Sequence, residues 1–210
     1  MVARFDRDRA VPSLSEERPM KLPIDFDFLP DHDCEQEAAL LTCLMEAHRR
    51  ATRDNQNISK IVATTVYQTS GSFVQALAAG VLTVGGIHAP VEAARRDFCE
   101  FEPEVYRLRI RSKERLAGLG NDFYKDRIDP AFQPVMVELE RHWPDAFARL
   151  QAMSKIAFEE KKLFLNAALL TAACCEICKV PPGIEYALLF VARMPVWATA
   201  CSQVPRVQFK

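Results

Sequence analysis

The sequence predicts an all-α fold, and three observations carry that prediction. Glycine is scarce, 7 of 210 residues, which is below average usage. Strand-like alternation of apolar and polar residues is scarce too, while apolar residues recur at helical spacing. Along the chain the composition runs apolar, then charged, then apolar. That order suits a large helical domain that is discontinuous, with a smaller helical domain inserted between its halves. The expected boundaries are 1–30 for an extended arm, 31–91 and 163–210 for the large domain, and 92–162 for the small one. At 49% apolar content, a chain of this length buries a full core.

The arm is charged, carries Pro12, Pro19, Pro23 and Pro30, and shows no helical period. A helix should follow, with Asp31 or Asp33 as N-cap and Leu40, Leu41, Leu44 and Met45 as its apolar stripe. Arg49 and Arg50 suit its C-terminal end. Two apolar helices are expected over 56–69 and 72–84, parted by Thr69-Ser70-Gly71. The Gly85-Gly86 pair allows a tight turn or a close backbone approach. The charged middle gives helices over 91–101, 103–116, 130–140 and 145–162, with Gly118 and Gly120 in a loop. A buried helix over 163–178 ends at Lys179, before the stop signal Val180-Pro181-Pro182-Gly183. The last helix, 184–201, contains Pro195, which should kink it.

Composition excludes several functions. A net charge of −1 offers no footprint for nucleic acid or an anionic membrane. The uncharged stretch from Ile61 to Val91 is interrupted by Gln68, Ser70, Gly71, Ser72 and Gln75. It therefore lacks the roughly 20 strongly apolar residues that span a bilayer. No signal peptide precedes the 7 cysteines, so they are expected to be reduced thiols in a cytoplasmic protein. Cys174, Cys175 and Cys178 would need a second ligand pair to hold zinc. His88 and His142 do not supply one, so no metal is expected.

Seven short stretches, in order, carry a resemblance. Leu29-Pro30 with the helix after it is similar to an "LPS-acidic" helix start, and Ile61-Val62-Ala63-Thr64-Thr65 to "(V/I)VAST". Ala78-Ala79-Gly80 through Gly85-Gly86-Ile87-His88 resembles "AAGLLAIGGYHGGA". Gly118-Leu119-Gly120-Asn121-Asp122-Phe123-Tyr124-Lys125 with Asp129-Pro130 resembles "GFGHRVYKxxDPR". Asn166-Ala167-Ala168 stands where "NVD" is expected. Ala192-Arg193-Met194-Pro195-Val196-Trp197 resembles "ARTPGW", and Pro205-Arg206-Val207-Gln208-Phe209 resembles "PRQIY". In that order and spacing they resemble the citrate synthase superfamily, and within it the short citryl-CoA lyase-like members. The family's first helices, before "LPS", have no counterpart, so the fold is expected to be truncated at its N-terminus.

The resemblance implies a metal-free site working on a coenzyme A thioester. A carboxylate moves a proton α to the thioester, and histidines stabilise the enol oxygen and polarise an oxoacid carbonyl. On that pattern His88 takes the enol-stabilising place and Asn121 the polarising one. His48, Arg193 and Arg206 bind substrate carboxylates, Arg206 reaching a partner subunit's site. Gly118, Gly120, Tyr124 and Lys125 contact the coenzyme.

The departures matter equally. Asn121 replaces a histidine and cannot transfer a proton, and Ala168 stands where the base belongs. Ala131 replaces the arginine after "DP", and Ala89 and Pro90 replace two glycines. Glu92, Asp122 and Asp129 are carboxylates near the motifs, though none is at the base position. Arg193 on an apolar helix either pairs with a carboxylate such as Glu185 or binds a ligand's.

Two functions are therefore expected. One is a citrate synthase-like acyl-CoA lyase or acyltransferase with altered C–C bond chemistry, by condensation, cleavage, decarboxylation or cyclisation. The other is an inactive homologue that binds ligand or serves a hetero-oligomer beside an intact relative. The expected partners are an acyl-CoA or carboxylate and a second copy in a homodimer, with no nucleic acid and no membrane. No permanently bound cofactor is expected.

Overall fold

The computed structural model describes residues 34–84, 90–121 and 123–207. The arm, Gly85-Gly86-Ile87-His88, Asp122 and both proposed caps of the first helix, Asp31 and Asp33, lie outside them. Among the described residues the fold is all-α, as expected. Helices α1 (Cys34–Asp54), α2 (Ile58–Ser70) and α3 (Phe73–Leu82) come first. Then follow α4 (Val91–Cys99), α5 (Pro103–Arg111), a 3-10 turn (Pro130–Phe132), α6 (Gln133–His142) and α7 (Pro144–Lys161). Two apolar helices, α8 (Ala167–Ile177) and α9 (Ile184–Gln203), close the chain.

Local chemistry sets most boundaries. The Asn57 side chain accepts from the Lys60 N–H to start α2, and Ser72 caps α3 through the Gln75 N–H. Gly71 ends α2 at φ 69°, a left-handed conformation that glycine adopts without strain. α1 runs past Arg49 and Arg50 to Asp54. Both arginines bond Glu46, 2.7 and 2.8 Å away, rather than closing the helix.

Two boundaries differ from the sequence expectation. The helix over 103–116 stops at Arg111, because Lys113 turns to φ 64°. The Arg109 guanidinium clamps both Asp97 at 2.9 Å and Glu114 at 2.6 Å, folding the chain back after the helix. The helix over 163–178 begins only at Ala167. The residues before it are extended and pair with the 118–120 loop. The Gly120 N–H donates to the Phe164 carbonyl at 2.8 Å, and the Asn166 N–H to Gly118 at 3.0 Å. Pro195 lies inside α9, which runs unbroken through it.

The core falls into two clusters. The larger joins α1 (Leu40, Leu41, Leu44) to α4, α6, α7, α8 and the first half of α9, all through fully buried side chains. Each such leucine contributes roughly 1.5–3 kcal/mol of burial. The smaller joins Ala63 and Tyr67 of α2, Ala76 of α3, and Trp197 and Cys201 of α9. Gly80 lets α3 lie directly on the Trp197 ring, since a Cβ there would stand 2.9 Å from it. α9 is long and apolar enough to cross a membrane by length and composition. Here it packs against α1, α2 and α3. Cys174 and Cys175 are buried in α8, where loss of solvent pushes the Cys175 thiol up to about 12 and keeps it a neutral core group.

Asn166 holds the start of α8 from three directions. Its Oδ1 accepts from the N–H groups of Ala168 and Leu169 at 2.9 and 3.3 Å. Its Nδ2 donates to the Ala117 carbonyl at 3.0 Å. Asn166→Ala removes the cap and strands that carbonyl. Chemical denaturation should register a loss of about 1–3 kcal/mol, and a change within about 0.5 kcal/mol would contradict the capping role.

Candidate active site

A cavity of about 780 Å³ opens where α1, the start of α4, the 115–129 loop and the N-terminal half of α8 meet α9. Its lining includes Arg115, Lys125, Lys162 and Arg193, against a single described carboxylate, Asp129. The cavity is therefore cationic in a chain of nearly balanced charge, which suits an anionic ligand.

Arg193 is the deepest of these cations. It is 8% exposed, and among the described residues its Nε and Nη1 have no hydrogen-bond partner. It does not pair with Glu185, whose two carboxylate oxygens are also buried and unpartnered. Of the two alternatives in the sequence, the pairing with Glu185 is excluded. Burial draws the Arg193 guanidinium down to about 10, still charged at neutral pH. An unpaired buried guanidinium is costly unless something anionic meets it.

His48 projects from α1 and also lines the cavity. It is 3% exposed, and Nε2 lies 2.7 Å from the Thr171 hydroxyl. Thr171 in turn donates to the Ala167 carbonyl at 2.7 Å. The ring packs edge-on against Phe132, 5.0 Å between centroids. Burial, and then the Arg193 charge, hold its pKa well below the ordinary histidine value, so the ring is neutral.

The loop supplies the opposite wall. Asn121 Oδ1 accepts from the Phe123 and Tyr124 N–H groups at 2.8 and 3.3 Å, closing a turn. That turn consumes the amide oxygen and leaves the Nδ2 hydrogens uncommitted to it. Gly120, Tyr124 and Lys125 line the same cavity, and Arg127 lies 5.8 Å from the Tyr124 ring centre. Asp129 caps the 3-10 turn through the Ala131 N–H at 2.9 Å. Its carboxyl is raised above the usual range, chiefly by burial.

Of the residues singled out in the sequence, His48, Gly120, Asn121, Tyr124, Lys125 and Arg193 thus share one cavity. Ala168 lines it as well, at the place where the resemblance expects a base. His88 lies outside the described residues. Arg206 lies elsewhere, with Nη2 donating to the Gly71 carbonyl at 3.2 Å and the guanidinium 5.6 Å over the Tyr67 ring. Glu92 sits in a separate shallow groove with Arg95, Cys99 and Glu100. Sequence reading missed Arg115, Lys162 and Thr171. The two cations carry no local signal, but Thr171 is the one polar residue between Leu169 and Cys175, and a lone polar group in a buried apolar run marks a specific bond.

The helical architecture is that of citrate synthase-like proteins. Citryl-CoA lyase from Hydrogenobacter thermophilus superposes with a TM-score of 0.69 at 20% identity, over 82% of this chain and 72% of that one. Citrate synthase from Thermotoga maritima gives 0.67 at 18%, over 84% and 52%. Citrate synthase from Thermoplasma acidophilum, in a ternary complex with carboxymethyl coenzyme A and oxaloacetate, gives 0.64 at 18%, over 84% and 51%. The chain spans about half the length of these two citrate synthases. No protein-family model and no curated protein matches the sequence. At these identities the likeness establishes the fold.

Gly118 does not line the cavity. A Cβ there would stand 2.7 Å from Leu169 Cβ, so this glycine seats the loop against α8. Gly118→Ala should destabilise the protein by about 1–3 kcal/mol in thermal or chemical unfolding. An unchanged midpoint with weaker ligand binding would instead favour direct contact with a ligand.

Proposed function

We propose that this protein binds a carboxylate and a coenzyme A thioester in the cationic cavity and acts on a C–C bond between them. The supporting observation is the buried, unpartnered Arg193 guanidinium in a cavity it shares with His48 and Asn121. A carboxylate meeting Arg193 gains charge-assisted hydrogen bonds where water is largely excluded. Lys125, Lys162 and Arg115 offer phosphate-binding charge, and Tyr124 and Phe123 offer surface to the rest of the coenzyme. The resemblance assigns His88 to the enol oxygen and Asn121 to carbonyl polarisation. Asp129 is the described carboxylate of the cavity available for proton transfer. Arg206, on this reading, serves a neighbouring subunit's cavity.

A second reading rests on Ala168. With no base where the family's pattern expects one, the cavity suits a subunit that holds ligand without turning it over, alone or beside an intact relative. Loss of a general base typically lowers a rate by 10²–10⁴-fold, so the readings part on product formation.

The cavity lies where the expected large domain, 31–91 with 163–210, meets the expected small one, 92–162. Cytoplasmic location goes with the reduced-thiol reading. We assign the oligomer as a homodimer through α2, α3 and α9. Each exposes a face without charge: Ile58 and Ile61, then Val74 (79% exposed) and Leu82 (85%), then Val191 and Pro195. Uncharged apolar faces of this kind mark interfaces.

Two experiments follow. Calorimetric titration with acetyl-CoA and free CoA, with and without citrate or oxaloacetate, should give micromolar binding, with product then sought by mass spectrometry. Arg193→Met should weaken carboxylate binding at least about tenfold while leaving the ligand-free protein as stable or more so. Undiminished binding in that variant would remove Arg193 from the site. Sedimentation should show a dimer at micromolar concentration that Leu82→Lys dissociates; a monomer in the unaltered protein would exclude the interface.

A further inference from the structure

The hydrogen-bond chain through Thr171 fixes which ring nitrogen of His48 carries the proton. A threonine hydroxyl has one hydrogen to give, and the Ala167 carbonyl, which only accepts, takes it at 2.7 Å. The 2.7 Å contact between Thr171 Oγ1 and His48 Nε2 is then a bond only if Nε2 donates. The ring is neutral, for the reasons of burial and the Arg193 charge given above. Nδ1 is therefore a bare lone pair. It has no hydrogen-bond partner among the described residues. Unlike Arg193 Nε and Nη1, it is not among the sealed polar atoms without a partner, and the ring lines the cavity.

We infer that His48 is a locked hydrogen-bond acceptor that selects a hydroxy-carboxylate over the corresponding oxo-carboxylate in the Arg193 cavity. The inference rests on the proposed reading of the cavity as a carboxylate site and goes beyond it to the oxidation level of the ligand. A hydroxyl donates to Nδ1 while the neighbouring carboxylate meets Arg193. A carbonyl oxygen at the same place only accepts, so two lone pairs face each other and neither is satisfied. Sites built around a buried polar group reject analogues that leave it unpaired far more strongly than those that merely change size. A ring free to exchange tautomers would lose this selectivity, because Nδ1–H would serve the oxo compound equally well. Thr171 is the positioning residue, acting through His48.

The test uses the full chain and three dicarboxylates of one skeleton length: malate, succinate and oxaloacetate. Calorimetry should give malate at least about tenfold tighter than oxaloacetate, with succinate between them. Nitrogen NMR of histidine-labelled protein, with the His48 signals identified by their loss in His48→Gln, should show Nε2 protonated and Nδ1 bare at neutral pH. In Thr171→Val, which keeps the side-chain shape, the malate-to-oxaloacetate ratio should fall towards one. A protonated Nδ1, or oxaloacetate binding as tightly as malate, overturns the inference. Failure of all three ligands to bind overturns the carboxylate reading along with it. NMR then locates the fault, since an intact tautomer with no binding points to the ligand class and a changed one to the ring.

Discussion

The side-chain bonds of Asn166, with its N–H bond to Gly118, hold the 117–121 loop and the start of α8 in one fixed relation. The cavity depends on that relation. Asn121 lies in the loop, and Ala168 and Thr171 lie on the first turns of α8, so Asn166, with the Gly120–Phe164 bond beside it, sets the distance between the two walls. Gly118 permits the approach, because any side chain there would strike Leu169. The same junction acts on the third wall. Thr171 receives its place from the start of α8 and hands it to His48 on α1 through a 2.7 Å bond. One capping residue thus orders groups from the loop, α8 and α1.

Charge is distributed with similar economy. Exposed surface pairs, such as Arg53 with Asp54 at 3.0 Å, contribute little. Arg193 is different, because its guanidinium is removed from water with no carboxylate among the described residues to meet it. Burial of this kind weakens the ligand-free protein and is tolerated where a ligand relieves it. The neutral state of His48 follows from the same arrangement, since burial and the adjacent cation both disfavour a second charge. On the inference drawn above, the cavity therefore presents the Arg193 donors beside one fixed acceptor.

The fold was legible in the sequence because helical periodicity and the Thr69-Ser70-Gly71 break are local signals. The α5 end was not legible. It depends on Arg109 reaching Asp97 in another helix, and no window of sequence displays that. The start of α8 was half legible. Asn166 is a good cap by type, but the apolar run before it reads as helix until its pairing with Gly118 and Gly120 is known. In the site, ordered motifs found six of the residues that share the cavity. Arg206 matched a motif equally well yet lies on the α2–α3 turn. Arg115 and Lys162 look like any solvated cation, and only the fold brings them to the rim.

The chemistry open to the cavity follows from which of its described groups can take a proton. Asn121 cannot, and Ala168 has nothing to offer. His48 has a free lone pair, but Arg193 beside it lowers its basicity. Asp129 is a carboxylate whose proton affinity burial has raised, which is the direction a base working near neutral pH requires. One of its oxygens, however, is already engaged by the Ala131 N–H. Cleaving a hydroxy thioester removes the hydroxyl proton, breaks the C–C bond and returns a proton to the enolate carbon; condensation is the reverse of the same steps. Both directions therefore need the same two proton transfers. On the proposed reading His48 faces the hydroxyl in the arrangement inferred above, and Asp129 is the described group left for the proton on carbon.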